Sequence, residues 1–271
     1  MRLVNKEFVH QSNRYSITYL MRRENAAKAL EKWLIEGKKA GDIDLKAKSY
    51  GSRDVRMLEG GYVVKETKKA MHEFEITSRA EDLTVITPAA GAAIVHKDSE
   101  WGALTVEFIR GAVPVFLLKS ESMLQNDIER VRNGVLYAMG SMHYGDGHSS
   151  LLHLDPHMGN ILVLANPEIF HNSGSPLRAE IRVVDLEKSK IVRFGKRMME
   201  TMAYDLLVAI NQLMYTNLLP ASDVPKTLDH YLESNHRIAR EDLKRLIIEW
   251  IPKHKKLVGV QQALPFIDSD L

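Results

Sequence analysis

The sequence predicts an α+β fold in two lobes, a small β-rich N-terminal lobe and a larger, mostly helical C-terminal lobe. Three observations predict it. Between residues 45 and 111 the apolar residues fall in short runs; Leu104, Val106 and Phe108 alternate with Thr105 and Glu107, the period of a half-buried strand. From Ser122 onward they recur instead at helical spacing over long segments. Two short apolar runs, one from Ile161 to Leu164 and one from Ile181 to Val184, flank a segment carrying Pro, Asn, Gly and Ser, and read as a strand hairpin joined by a loop.

Composition sets the bounds. At 271 residues and 45% hydrophobic, the chain suits one large domain or two joined lobes with a sizeable core. A net charge of +2 is too small to argue for nucleic acid. With no cysteine, disulfides, thiolate zinc sites and cysteine nucleophiles are excluded. No apolar run approaches the ~20 residues of a membrane span, and MRLVNKEFVHQSNRY lacks the apolar core of a signal peptide. A cytoplasmic location is expected.

In chain order, FVHQSNRYSITYL admits a short strand or an extended arm. Asn25 to about Glu36 predicts a helix with Ala26, Leu30, Trp33 and Leu34 on one face, ended by Gly37 and Gly41. These make residues 1–44 an N-terminal extension, before a small lobe over 45–111 and a large lobe over 112–271. Within the small lobe, two β runs flank a turn at Gly51 and Ser52. A second turn at Glu59-Gly60-Gly61 leads into the strand Tyr62 to Lys65. HEFEITSRAEDL predicts a helix with Ile76, Ala80 and Leu83 inward. Glu73, three residues before Ile76, shares that face, whereas Glu75 is turned away by about 100°. In the large lobe the helix MLQNDIERVRNGVLYAMGSMH stripes Ile128, Val131, Val135, Met139 and Met142. METMAYDLLVAINQLM forms a second, strongly apolar helix containing Asp205, and helices near 222–234 and 239–250 follow. Lys253, His254, Lys255 and Lys256 form a basic run that reads as a solvated face, with weak contact to an anionic substrate or membrane as the lesser reading.

The hairpin carries the chemistry. Asp155 sits on a turn opened by His153, Asn160 immediately precedes the first strand, and Asp185 ends the second. All three fall at one end of the hairpin. Phosphoryl transfer needs this layout: one carboxylate to take the proton of the attacking hydroxyl, with an amide and a second carboxylate to hold magnesium on the nucleotide phosphates.

The pattern H-x-D-x-x-x-x-N followed by a strand-terminal Asp resembles the catalytic and metal-binding loops of the protein-kinase-like fold. DPHMGNILV is similar to the loop of UbiB-type atypical kinases. GGYVVKE, the segment ending in Thr87-Pro88 and VVDLEKSK look more like the lipopolysaccharide-core (Kdo and heptose) sugar kinases, and the small KEOPS kinase shares their compact plan. The resemblance covers roughly residues 45–215. It implies an ATP- and magnesium-dependent phosphotransferase acting on a nucleotide and a hydroxyl-bearing acceptor, a sugar, glycan or protein. It also implies roles. Asp155 is the base. Lys65 pairs the phosphates and is held by Glu73, or failing that by Glu75. Asn160 and Asp185 hold the metal, Gly51 and Ser52 cover the phosphates, and backbone groups at Glu107 and Ile109 meet the adenine. Asp205 resembles the buried aspartate that anchors the catalytic loop. The sequence departs from the eukaryotic pattern: G-x-G-x-x-G is absent, Glu187 stands where D-F-G has glycine, and no activation segment ends in A-P-E.

Other classes make competing claims. His143, His148, His153, Asp155 and His157 could ligate zinc or iron in a hydrolase. A pseudokinase binding module, or a nucleotidyl transferase on the same scaffold, would use the same residues.

Overall fold

A computed structural model describes residues 2–37, 55–58, 60–83, 87–118, 120–164 and 181–269. The chain divides into two compact units, one of residues 1–82 and 88–109, the other of residues 83–87 and 110–271.

The first unit is built on a six-stranded antiparallel sheet in the order β1-β2-β5-β6-β4-β3. Its strands are β1 (Leu3–His10), β2 (Asn13–Leu20), β3 (Val55–Leu58), β4 (Tyr62–Glu66), β5 (Ala90–His96) and β6 (Gly102–Glu107). The segment that admitted a strand or an arm is a full hairpin, with β1 and β2 paired from Leu3↔Leu20 to His10↔Asn13. Gln11 and Ser12 turn it with φ of 48° and 66°. Two left-handed residues give the twist that joins adjacent antiparallel strands, but Gln-Ser lacks the Asn-Gly signature that announces such a turn.

Two helices cover the sheet. Ala26, Ala27, Leu30, Trp33 and Leu34 of α1 (Glu24–Ile35) pack with Ile17, Val64, Ala92, Ile94 and Ala103. Ala70 and Phe74 of α2 (Ala70–Leu83) pack with Leu20, Ala90, Ala93 and Leu104. Neighbouring residues such as Ala103 and Leu104 therefore enter different clusters. With both faces buried, β5 reads AGAAIV with no polar alternation. Each large side chain buried here contributes about 1.5–3 kcal/mol.

The second unit is mostly helical. Its helices are α3 (Gln125–Tyr144), α4 (Lys196–Tyr215), α5 (Val224–Ser234), α6 (Arg240–Trp250) and α7 (Val258–Ser269). The stripe Val131, Val135, Met139 and Met142 is fully buried. Gly140 lets α3 and α5 approach: a Cβ there would lie 2.1 Å from Ser234 Oγ and 2.3 Å from the Tyr231 carbonyl. α7 was not anticipated, because Gly259 and Pro265 disguise it. It forms because Val260, Ala263 and Ile267 bury one stripe and Asn211 Oδ1 accepts the Gly259 N–H at 2.9 Å. No helix among the described residues is long and apolar enough to cross a membrane.

Two small sheets frame the hairpin. β9 (Ile161–Leu164) lies between β10 (Ile181–Val183) and β7 (Ala112–Pro114), and β8 (Ser149–Leu152) pairs with β11 (Lys190–Arg193). The register Val183↔Ile161 brings the start of β9 beside the end of β10.

Candidate active site

Asp155 lies in the connection between β8 and β9, and Asp205 on α4 grips that connection from below. Fully buried, the Asp205 carboxylate accepts the His153 N–H at 2.7 Å and the Leu154 N–H at 3.0 Å. Leu154 is left-handed, with φ of 63°. That conformation costs a non-glycine residue roughly 1–2 kcal/mol and persists only where the surroundings impose it.

His153 locks the loop from its other side. Its Nδ1 accepts the Asp155 N–H at 3.2 Å, so Nε2 carries the proton and donates to the Val184 carbonyl at 3.0 Å. Burial holds its pKa below the ordinary imidazole value, favouring this neutral form. The Ser189 hydroxyl donates to the His153 carbonyl at 3.1 Å. The loop after β8 and the loop after β10 are thus tied together through one histidine.

Asn160 completes the tie. Its backbone carbonyl accepts the Val184 N–H at 2.9 Å, and its Nδ2 donates to the Asp155 carbonyl at 3.1 Å. This second bond fixes the amide orientation and leaves Oδ1 as its acceptor end. Asp185 follows in the left-handed conformation, φ 60°. Asp155, Asn160 and Asp185 therefore gather at one end of the hairpin. The amide oxygen and the carboxylate are hard oxygen donors of the kind magnesium prefers. A carboxylate oxygen of Glu187 lies within 4.8 Å of one of Asp185, adding a further oxygen donor.

Sequence reasoning missed Lys188, whose Nζ donates to Asp155 Oδ2 at 2.6 Å. The turn Leu186–Lys188 is a 3₁₀ helix, in which residues three apart eclipse, so Lys188 returns to the side of Asp185. The spacing D-x-x-K was the only available signal, and it is uninformative until the turn type is known.

In the first unit, Lys65 Nζ on β4 donates to both carboxylate oxygens of Glu73 at 2.9 Å. Their side chains are only 13% and 4% exposed. Glu73 occupies the first turn of α2, where the helix dipole favours a carboxylate. Glu75, the other candidate, is exposed. At the end of β6 the Glu107 N–H donates to the Ala89 carbonyl at 2.9 Å, so Glu107 can offer an adenine edge only its carbonyl. Ile109 is the last residue of this unit. Gly51 and Ser52, the expected phosphate-covering turn, lie outside the described residues.

The histidines do not converge. His143 is buried against Tyr231, with Nδ1 2.8 Å from the phenol oxygen. His153 uses both ring nitrogens on backbone groups, His157 Nδ1 accepts the Gly159 N–H, and His148 is exposed. Among the described residues they form no group of three or more ligand atoms close enough to share a metal ion, which removes the basis for the zinc or iron hydrolase.

The chain has a two-lobed, protein-kinase-like α+β fold. Among solved structures, WaaP in complex with acyl carrier protein superposes with a TM-score of 0.55, covering 76% of this chain and 84% of that one at 16% identity. A proposed aminoglycoside phosphotransferase from Ralstonia eutropha covers 98% of this chain and 91% of its own at 12% identity, but its TM-score of 0.42 carries no argument. No protein-family model and no curated protein matches the sequence.

Proposed function

We propose that this protein is an ATP- and magnesium-dependent phosphotransferase that moves the γ-phosphoryl group to a hydroxyl, with a sugar of lipopolysaccharide or another glycan as the acceptor class. The observation that carries the reading is the doubly tied loop: Asp205 and His153 hold Asp155 and Asn160 beside Asp185. A catalytic carboxylate next to oxygen donors for a metal, on a rigid backbone, is what phosphoryl transfer by positioning requires.

Asp155 accepts the proton of the acceptor hydroxyl as its oxygen bonds to the γ-phosphorus. The bond from that phosphorus to the bridging oxygen breaks, and ADP leaves with the electron pair. Lys65, held by Glu73, meets the nucleotide phosphates. The carbonyl of Glu107 and the N–H of Ile109 meet the adenine, and Gly51 and Ser52 cover the phosphates. Magnesium held by Asn160 and Asp185 would supply charge neutralisation between the phosphates. The segments GGYVVKE and VVDLEKSK, which resemble the lipopolysaccharide-core sugar kinases, support the glycan acceptor over a KEOPS-like protein acceptor. A cytoplasmic location, where ATP is supplied, belongs to the same reading. So does contact of the exposed Lys253, Lys255 and Lys256 with an anionic membrane face.

Calorimetry with ATP and magnesium tests the proposal. Saturable binding that needs the metal supports it, and absence of binding by the intact protein overturns it. A panel of hydroxyl acceptors, glycan and protein, then distinguishes sugar kinase from protein kinase by phosphate incorporation.

A further inference from the structure

Lys188 stands out because of what it touches. Its ammonium occupies Asp155 Oδ2 at 2.6 Å. Among the described residues Asp155 is engaged through Oδ2, which leaves Oδ1 for the acceptor hydroxyl. The two side chains are 60% and 34% exposed. An ion pair so open to water contributes only about 0–1 kcal/mol, so releasing it costs little. The lysine stem is mostly solvated, whereas the backbone that carries the base is tied by His153 and Asn160.

The position of the attacking oxygen follows from the base. An acceptor hydroxyl donating to Oδ1 sits about 2.6–3.2 Å from the carboxylate, and the phosphorus it attacks lies about 3–3.5 Å beyond. A lysine bonded to the other oxygen of the same carboxylate is within one side-chain swing of the phosphoryl group in transfer. Negative charge spreads over the three equatorial oxygens of that group. The residue two after Asp155, His157, is exposed and its Nδ1 is turned back on the Gly159 N–H.

We infer that Lys188 is a further residue of the phosphoryl-transfer site: at rest it holds Asp155 through Oδ2, and with nucleotide bound its ammonium moves to the phosphoryl group in transfer. This rests on the phosphotransferase reading. Lys188 would bind a planar, charge-dispersed phosphoryl group more strongly than the product diphosphate.

Titration of the whole protein with Mg-ADP, alone and with aluminium fluoride as the mimic of the transferring group, tests it. Wild type should bind Mg-ADP, and aluminium fluoride should tighten that binding. Lys188→Met should keep the affinity for Mg-ADP but lose the tightening by about tenfold or more, the size of one hydrogen bond to a charged group. Lys188→Arg should restore most of it. Lys190→Met, an exposed lysine of β11 with no place in the site, should match wild type. Tightening that survives in Lys188→Met, or that is absent from wild type, overturns the inference alone. Failure of wild type to bind Mg-ADP overturns the phosphotransferase reading and the inference with it.

Discussion

The carboxylate of Asp205 lies 2.7 Å from the backbone nitrogen of His153, which it reaches from a helix 52 residues further along the chain. The same carboxylate takes the N–H of Leu154, so two successive backbone donors converge on one buried anion. A left-handed leucine and a buried aspartate are each unfavourable alone. Together each supplies what the other needs, because the turn aims both N–H groups at the carboxylate. His143 Nε2 stands 3.6 Å from Asp205, and the Tyr231 hydroxyl, kept protonated by burial, completes the buried cluster.

We therefore expect Asp205→Ala to leave two backbone donors buried without partners, at a cost of roughly 1–3 kcal/mol each. Asp205→Asn, with one acceptor oxygen, should fall between wild type and Ala. Urea denaturation gives the ranking. Equal stability of Ala and Asn would show that the two-donor grip is not what holds the turn.

Asp155 and Asp185 should separate by isosteric substitution. In the proposed reaction Asp155→Asn removes the proton acceptor and should slow transfer by about 10²- to 10⁴-fold, with nucleotide affinity changed much less. Asp185→Asn removes the charge that would hold magnesium in the proposed reaction and should weaken Mg-ATP binding as well as the rate. Calorimetry beside phosphate transfer, or slow ATP hydrolysis where no acceptor is known, reads both. Transfer at the wild-type rate by Asp155→Asn would remove Asp155 from the role of base.

Glu73→Ala leaves the Lys65 ammonium in a site where its side chain is only 13% exposed. Breaking a buried pair from one side costs about 3–5 kcal/mol, and the residual exposure places this case toward the lower figure. Glu75→Ala, on the exposed face of α2, should shift stability by less than about 0.5 kcal/mol. Thermal unfolding and Mg-ATP affinity should both fall for Glu73→Ala and not for Glu75→Ala. The reverse order would mean that Lys65 is held by other groups.

His153 should titrate below its ordinary value of 6.5 because burial disfavours the charged ring. The sign follows. The folded state holds the neutral form, so its contribution to stability is complete above about pH 6.5, the unfolded value. It is lost as pH falls from there through the folded pKa. Nitrogen-15 shifts of the imidazole should show the Nε2–H tautomer at pH 7. An Nδ1–H tautomer, or a pKa at or above 6.5, would contradict the hydrogen-bond pattern.

Spacing alone placed several features. Asp155 and Asn160 are five residues apart in a turn-strand context, and Asp185 ends the next apolar run, so any hairpin built from those runs brings them to one end. The face of α2 was equally legible, since a period of 3.6 residues separates Glu73, buried, from Glu75, exposed. The first pattern needs only two consecutive apolar runs to pair, and the second only the period of one helix. The basic run near the C-terminal end is solvated at Lys253, which is exposed, with Nζ near Glu249 and over the Trp250 ring.

What needed the folded chain is what depends on partners distant in sequence. The β8–β11 pairing joins Leu152 to Lys190 across 38 positions, and neither short run carries an alternation strong enough to declare a strand. α7 is written with a glycine and a proline, and the burial of Val260, Ala263 and Ile267 overrides their poor propensity. The grip of Asp205 on His153, and the reach of Lys188 to Asp155, follow from a left-handed backbone at Leu154 and Asp185 that no side-chain pattern announces. Residue order alone gives the carboxylates, the amide and the lysine of the candidate site and their spacing along the chain. Which of them meet depends on the folded chain, because contacts between remote segments are set by the packing of whole elements, where one angstrom separates a hydrogen bond from none.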